Sequence, residues 1–262
     1  MQISLQGKRA FVCGATQGIG KAIAIQFAKS GASVTLCARN EKALKEVVNE
    51  LDQSHHQEHS YLCADFSKPD ELKKLVEAYT RNFPIVHILV NNTGGPNPGS
   101  IVQATSDEFL KAFQMHLMCN HILVQTFLPS MINSKYGRII NIISTSVKQP
   151  LPNLGVSNTI RAAVANWSKT LANEVAIYGI TVNNILPGAT NTQRLQQIIQ
   201  QKALKNNVSP SIVEEEMKKE IPMKRFAQPE EPAYLATFLA SPLAAYITGT
   251  NIPVDGGRTG CL

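Results

Sequence analysis

The sequence contains no apolar run approaching twenty residues, which speaks against a membrane-spanning helix. Its first residues, Met1 to Arg9, lack the basic-then-apolar layout of a secretion signal, so a cytoplasmic protein is expected. Cysteine is sparse. Cys13, Cys37, Cys63, Cys119 and Cys261 are scattered without a C-x-x-C pair and are expected to be reduced thiols. Three of them, Cys13, Cys37 and Cys63, fall in expected buried strands. No His, Cys or carboxylate group stands at ligand spacing, so no metal is expected. The net charge is +6, but the basic residues are interspersed with acidic ones and never form a block interleaved with aromatics. A nucleic-acid partner is therefore not expected. A hydrolase elbow of the form G-x-S-x-G is also missing, which argues against a Ser/His/Asp mechanism. Without a linker, repeat or low-complexity tract, the chain reads as a single domain over 1–262, near the upper size for one core.

What is present is alternation. Short apolar runs near Arg9–Cys13, Ser33–Ala38, Ser60–Ala64, His87–Val90, Gly137–Ser144, Thr181–Leu186 and Asn251–Val254 read as strands separated by helices. Ile160, Val164, Trp167, Leu171 and Val175 recur at helical spacing, and Ala162, Ala163 and Ala172 would let that helix pack closely. Repeated β-α-β units predict an α/β doubly wound fold, a seven-stranded parallel sheet with helices on both faces. From 190 to 228 the rhythm breaks. That stretch offers two short helical candidates and no strand, and it reads as a substrate-binding lid. Ser209 is placed to cap the second helix, Pro210 to open it, and Glu214 to Glu216 to lie in its first turns.

The first strand runs into Gly14-Ala15-Thr16-Gln17-Gly18-Ile19-Gly20 and then into a helix. Glycines are required where the chain turns sharply and a pyrophosphate approaches bare backbone. The helix N-terminus then offers N–H groups to the phosphates. Between a first strand and first helix, this spacing predicts a Rossmann dinucleotide site. The second strand ends Cys37-Ala38-Arg39-Asn40. A site for NAD(H) places an acid there for the ribose 2′-hydroxyl, whereas Arg39 can pair with a 2′-phosphate. NADP(H) is therefore the expected cofactor, ahead of NAD(H).

With these motifs the sequence resembles the short-chain dehydrogenase/reductase family nearly end to end, and among its branches the β-ketoacyl-carrier-protein reductases. Cys63-Ala64-Asp65-Phe66 is similar to the family's adenine-contacting segment, and Asn91-Asn92-Thr93-Gly94 to its Asn-Asn-Ala-Gly turn. Gly137 to Ser144 resembles the strand that delivers the catalytic serine. Pro187-Gly188-Ala189-Thr190-Asn191-Thr192 is similar to the segment that meets the nicotinamide, and Val254-Asp255-Gly256-Gly257 to the C-terminal signature. The resemblance implies a homotetramer or homodimer acting on a small molecule or acyl thioester, away from membranes. The His116 and Ser157 helices would pair across the dimer, and Asn251–Leu262 would help close a tetramer.

The resemblance also implies a tetrad of Asn, Ser, Tyr and Lys, and here the chain departs from it. Aligned on Gly137-Arg138 and Pro187-Gly188, Ser144 falls on the serine, Ser157 on the tyrosine, Arg161 on the lysine and His116 on the asparagine. A serine hydroxyl is far less acidic than a phenol of pKa about 10. Arginine cannot give up a proton near neutrality. Ser144 and Ser157 can still polarise a carbonyl oxygen. Arg161 can bind cofactor ribose or phosphate, or a substrate carboxylate. A proton must then come from water, from Lys148, or from His116, which fits a structural or water-relay place better than a direct acid. The resemblance points to an oxidoreductase reducing a carbonyl. A cofactor-binding sensor without turnover, or a lyase-like or isomerase-like enzyme, are the other readings. Lys202, Lys205, Lys218, Lys219, Lys224 and Arg225 in the lid could meet an acidic carrier, but Glu214, Glu215, Glu216 and Glu220 offset most of that charge.

Overall fold

A computed structural model describes residues 3–261. Its elements run β1 (Arg9–Cys13), α1 (Gly18–Lys29), β2 (Ser33–Ala38), α2 (Glu41–Glu50), β3 (Ser60–Cys63), α3 (Pro69–Asn82), β4 (Ile88–Asn91), α4 (Ser106–Phe113), α5 (Cys119–Asn133), β5 (Gly137–Ile142), α6 (Gly155–Val175), β6 (Ile180–Pro187), α7 (Gln193–Asn206), α8 (Pro210–Lys219), α9 (Glu230–Ala240) and β7 (Asn251–Val254). The strands form one sheet in the order β3-β2-β1-β4-β5-β6-β7, and every pair is parallel. The chain winds outward from β1 to β3, then returns to lay β4 beside β1. That reversal opens a crevice at the carboxyl ends of β1 and β4, where ligands bind in open α/β sheets.

Alternation along each strand feeds two cores. Val12, Val90 and Ile140 pack against α1 and α9, whereas Phe11, Leu89 and Ile139 pack against α3, α5 and α6. Burying a side chain such as Phe27 or Phe127 stabilises by about 1.5–3 kcal/mol. Several expectations need correction. Strand ends move by a residue or two: β3 stops before Ala64, β4 begins after His87, and β5 stops before Ser144 because that residue opens a one-turn 3₁₀ helix. Cys63 is exposed at the end of the edge strand; Cys119 of α5 joins Cys13 and Cys37 in the core instead. On α6, Ala162 is exposed, and Ala165 is the small residue packed with Val164, Ile143 and Leu186. Trp167 and Leu171 are only partly buried.

A row of amides, buried except at its Asn251 end, crosses four strands on the α6 side. Asn91 Nδ2 donates to Asn141 Oδ1 (2.8 Å), Asn141 Nδ2 to Asn184 Oδ1 (2.9 Å), and Asn184 Nδ2 to Asn251 Oδ1 (2.8 Å). These residues are register partners, so the parallel ladder itself aligns them. Asn141 also donates to Ser168 of α6 at 2.8 Å. The row starts at the carboxyl end of β4 and ties that strand to the sheet next to Asn92.

The 190–228 excursion carries its own small core of Leu195, Ile199, Ala203, Val213, Ile221 and Phe226. Its two ends meet: Thr190 and Ala227 form a bridge, with Asn191 N donating to Ala227 O at 2.8 Å. Pro210 opens α8 as expected, but Ser209 does not cap it with its side chain; its hydroxyl pairs with that of Ser211. The first turn of α8 contains no acid, so Glu214 to Glu216 begin only beyond it.

Candidate functional site

The glycine loop is packed too tightly for side chains. Gly14 and Gly18 adopt φ of +59° and +55°, a region that favours glycine. A Cβ on Gly14 would stand 2.5 Å from Asn92 O, and one on Gly20 would collide with the Gly14 carbonyl. Asn92 Nδ2 holds this turn from across the crevice by donating to Cys13 O and Gly14 O, each at 3.2 Å. Helix α1 starts at Gly18 without a side-chain cap from Gln17, leaving its first N–H groups for an anion. Ala15 is buried, while Thr16 and Ile19 are half-buried beside the turn. A dinucleotide pyrophosphate fits this bare backbone.

Arg39 is exposed just past β2, and Asp65 follows β3 on the adjacent edge. The Ser67 backbone N–H holds the Asp65 carboxyl below the usual carboxylate range, and Arg39 adds a favourable charge. The Phe66 ring is buried in the core and its carbonyl accepts the Cys119 thiol, so this residue offers a ligand little but backbone.

At the other end of the crevice stand Ser144, Lys148, Ser157 and Arg161. Ser144 Oγ accepts from Ser146 N at 3.1 Å, as a local cap, and its own O–H remains free to donate. Lys148 is half-buried in the loop that follows. Ser157 is half-buried on the first turn of α6, and its hydroxyl has no partner among the described residues. Arg161 lies one turn further on the same face. Its Nη1 donates to Ile142 O at 3.1 Å, and its Nη2 reaches toward Gly95. Pro187 ends β6. Gly188 packs on Asp255, where a Cβ would come within 2.8 Å of its Cα. Thr190 is buried with its hydroxyl on Gly188 O (3.2 Å), and Thr192 caps α7 and lays its methyl against Gly18.

His116 lies in a π-helical turn, Gln114–Met118, that joins α4 to α5. Such bulges often mark functional positions. The imidazole is buried, and its Nδ1 pairs with Thr93 Oγ1 at 2.6 Å. Burial, and then the charge of Arg161, push its pKa down to about 3. Held so low, it is neutral at pH 7, which favours a structural or relay place over a direct acid, and Thr93 is its hydrogen-bond partner. The unfolded chain protonates this group near pH 6.5, but the folded chain resists until about 3. Its contribution is intact above pH 6.5 and drains away as the pH falls toward 3. Replacing His116 by Asn should therefore shrink the loss of unfolding free energy between pH 7 and 4.5 by about 2–3 kcal/mol. Urea titrations at the two pH values check this, and equal losses in both proteins would refute it.

Residues 14–259 match a family model described as enoyl-(acyl carrier protein) reductase. The chain belongs to the short-chain dehydrogenase/reductase family. The NADPH-dependent reductase BacG of Bacillus subtilis is 32% identical over 251 residues, covering 95% of this chain and 97% of that one. The 3-oxoacyl-[acyl-carrier-protein] reductase FabG of Pseudomonas aeruginosa is 32% identical over 257 residues, covering 97% and 98%. The structure of L-sorbose reductase from Gluconobacter frateurii, complexed with NADPH and L-sorbose, superposes with a TM-score of 0.93 at 32% identity over the whole of both chains. A thioester reductase and a sugar reductase thus match equally well. The short-chain dehydrogenase/reductase assignment settles fold and reaction family while leaving the substrate open.

Two features of this family member escape the sequence reading. The amide row is invisible in it because only the strand register brings Asn91, Asn141 and Asn184 together. Arg194 Nη2 donates to Pro96 O at 2.8 Å, which brings α7 across to the loop after β4. A signal for Arg194 does exist: a cation in the first turn of a helix opposes the helix dipole. The charges of the 190–228 excursion are paired only in part. Lys218 pairs with Glu214 and Glu215, Arg225 makes two bonds to Glu231, and Arg258 pairs with Glu220. Among the described residues no helix is long and apolar enough to cross a membrane.

Proposed function

We propose that the chain is an NADP(H)-dependent oxidoreductase that reduces a carbonyl to an alcohol, with a 3-oxoacyl thioester among its candidate substrates. The observation that carries this reading is the glycine loop with no room for a Cβ after β1, with Arg39 just past the paired strand β2, where a carboxylate would serve NAD(H). Gly14, Thr16, Gln17, Gly18, Ile19 and Gly20 would cradle the pyrophosphate. Asp65 and the Phe66 backbone would meet the adenine. Thr93, Gly94, Pro187, Gly188, Thr190, Thr192 and Arg161 would line the nicotinamide half. The cofactor supplies the hydride. Arg39→Ala should weaken NADPH at least tenfold and change NADH affinity by less than about threefold, as a lost ionic pair of 1.5 kcal/mol or more requires. Isothermal titration with both cofactors reads this directly, and equal losses would remove the case for the 2′-phosphate.

Ser144 and Ser157 would donate hydrogen bonds to the developing alkoxide, and Arg161 would fix charge beside it. With His116 neutral, the proton would come from water or from Lys148, with His116 serving at most as a relay. Ser157→Ala is expected to lower kcat by about 10²-fold, the cost of one oxyanion donor, and Lys148→Ala by about tenfold. Should both variants turn over a working ketone like the parent, this assignment of roles fails.

One observation favours a second reading, a dinucleotide-binding sensor or partner protein with little dehydrogenase activity. The tyrosine and lysine positions hold Ser157 and Arg161, neither of which transfers a proton near neutrality. Tight NADPH binding without turnover across a broad ketone panel would favour it. Exposed Leu110, Phe113 and Met118 on the α4–α5 run support a homodimer through the His116 helix.

A further inference from the structure

Two guanidinium groups converge on one turn of chain. Arg161 reaches it from α6, with Nη1 on Ile142 O and Nη2 toward Gly95. Arg194 reaches it from α7, with Nη2 on Pro96 O. Gly95 and Pro96 are consecutive, so both positive groups approach the same loop, Arg161 anchored on Ile142 O and Arg194 on Pro96 O. Neither takes part in any of the ion pairs among the described residues, whereas Arg225 and Arg258 both do.

That placement is costly on three counts. The two like charges repel, and Arg161 feels the charge of Arg194. Burial, and then the charge of Arg194, bring the pKa of Arg161 down to about 10. Arg194 also lies in the first turn of α7, at the positive end of its dipole. Each guanidinium uses one of its five donors on backbone, leaving the rest for another acceptor. An anion between them would offset all three costs, and a planar carboxylate matches the fork of either.

The position of the pair says which part of a ligand it would meet. The glycine loop that fits the pyrophosphate lies at the ends of β1 and α1, whereas Arg161 is anchored at the end of β5. Arg161 is one helical turn from Ser157, so the two side chains share a face of α6. A group bound by Ser157 through its carbonyl oxygen would place its neighbouring atoms at Arg161.

Resting on the reductase reading above, we infer that Arg161 and Arg194 form a carboxylate-binding subsite, and that the substrate is an oxo acid whose carboxylate lies close to the reacting carbonyl. Arg194 belongs to the 190–228 excursion, so the acid would also draw α7 onto the β4 loop. Specificity here would come from two fixed positive charges rather than from the shape of an acyl channel.

The test uses a matched pair of probes, benzoylformate and its methyl ester, which share the ketone and differ in charge. Each is titrated by calorimetry into the full chain, free and saturated with NADP+. The expected result is that the acid binds at least tenfold tighter than the ester. Arg194→Gln and Arg161→Gln should each weaken the acid about tenfold and bring the pair near parity, and Arg194→Lys should restore part of the preference. Circular dichroism of each variant separates lost binding from lost folding. Equal affinity for acid and ester, no binding of the acid by either form, or an acid preference that survives Arg194→Gln would overturn the inference. So would a loss of NADP+ affinity in Arg194→Gln as large as that for the acid, since the pair would then serve the cofactor phosphates. Failure of NADP+ to bind the parent would sink the reductase reading alone, because the preference of the free protein still reads the guanidinium pair.

Discussion

Asn141→Leu is expected to lower the unfolding free energy by about 3–5 kcal/mol, and the melting temperature by roughly 10 °C. Asn141 is fully buried at the centre of the amide row. Leucine fills a similar volume but removes one acceptor and two donors. The Asn91 amide, whose Oδ1 already has no partner, would lose the bond to its Nδ2 as well. Asn184 Oδ1 and Ser168 Oγ would each lose a donor. Each buried polar group left alone costs about 1–3 kcal/mol, and the groups are coupled because each amide polarises the next. The cost should fade along the row: Asn251→Ala, at the exposed end, is expected to cost no more than about 1 kcal/mol. Urea unfolding of the two variants supplies the comparison. A loss below 1 kcal/mol for Asn141→Leu would mean that apolar packing replaces the row at no cost.

Gly20→Val should abolish dinucleotide binding, with NADPH affinity falling by at least about a hundredfold, or 2.7 kcal/mol. The first added carbon already collides with the Gly14 carbonyl and stands 2.6 Å from Asn92 Nδ2. Neither neighbour can yield cheaply. Gly14 sits at positive φ, and Asn92 is held by two bonds to the β1 end. The turn must open, and the α1 N–H groups then no longer converge on one phosphate. The rest of the α1 contact with α9 is untouched, so the variant should still fold. Calorimetry with NADPH, beside a thermal melt, separates the two effects. Undiminished affinity in a folded variant would place the cofactor elsewhere.

Much of this fold could be read in advance because parallel strands announce themselves as short apolar runs, and glycine spacing as a backbone constraint. β1, β2 and β7 fall on their expected bounds. Errors cluster where a local contact competes with the ladder. Ser144 was expected at the end of β5, yet its hydroxyl caps the next turn. Ser209 had the composition of a cap, but Ser211 claims its hydroxyl. Cys63 is apolar enough for a core strand but lies on the edge, where one side is open. At the site, Ser144, Ser157 and Arg161 are reached through the family resemblance, by aligning the chain on Gly137-Arg138 and Pro187-Gly188. The neutrality of His116 is not reached that way, because it depends on burial and on Arg161, which lies far away in sequence. The contact of Arg194 is silent in the sequence for the same reason: its partner Pro96 is distant along the chain, and only folding brings α7 to it.

The bridge between Thr190 and Ala227 has an evolutionary consequence. A segment that enters and leaves the sheet at one point, and packs on its own six-residue core, behaves as a cassette. Outside Thr190, Thr192 and Arg194, which meet the site and the β4 loop, its sequence can be exchanged while the strands, the amide row and the glycine turn keep their register. New chemistry at the mouth of the crevice is then reached by substituting one module, and a graft cut between Ala189 and Gln228 marks the seam along which a lineage could change its diet without relearning how to fold.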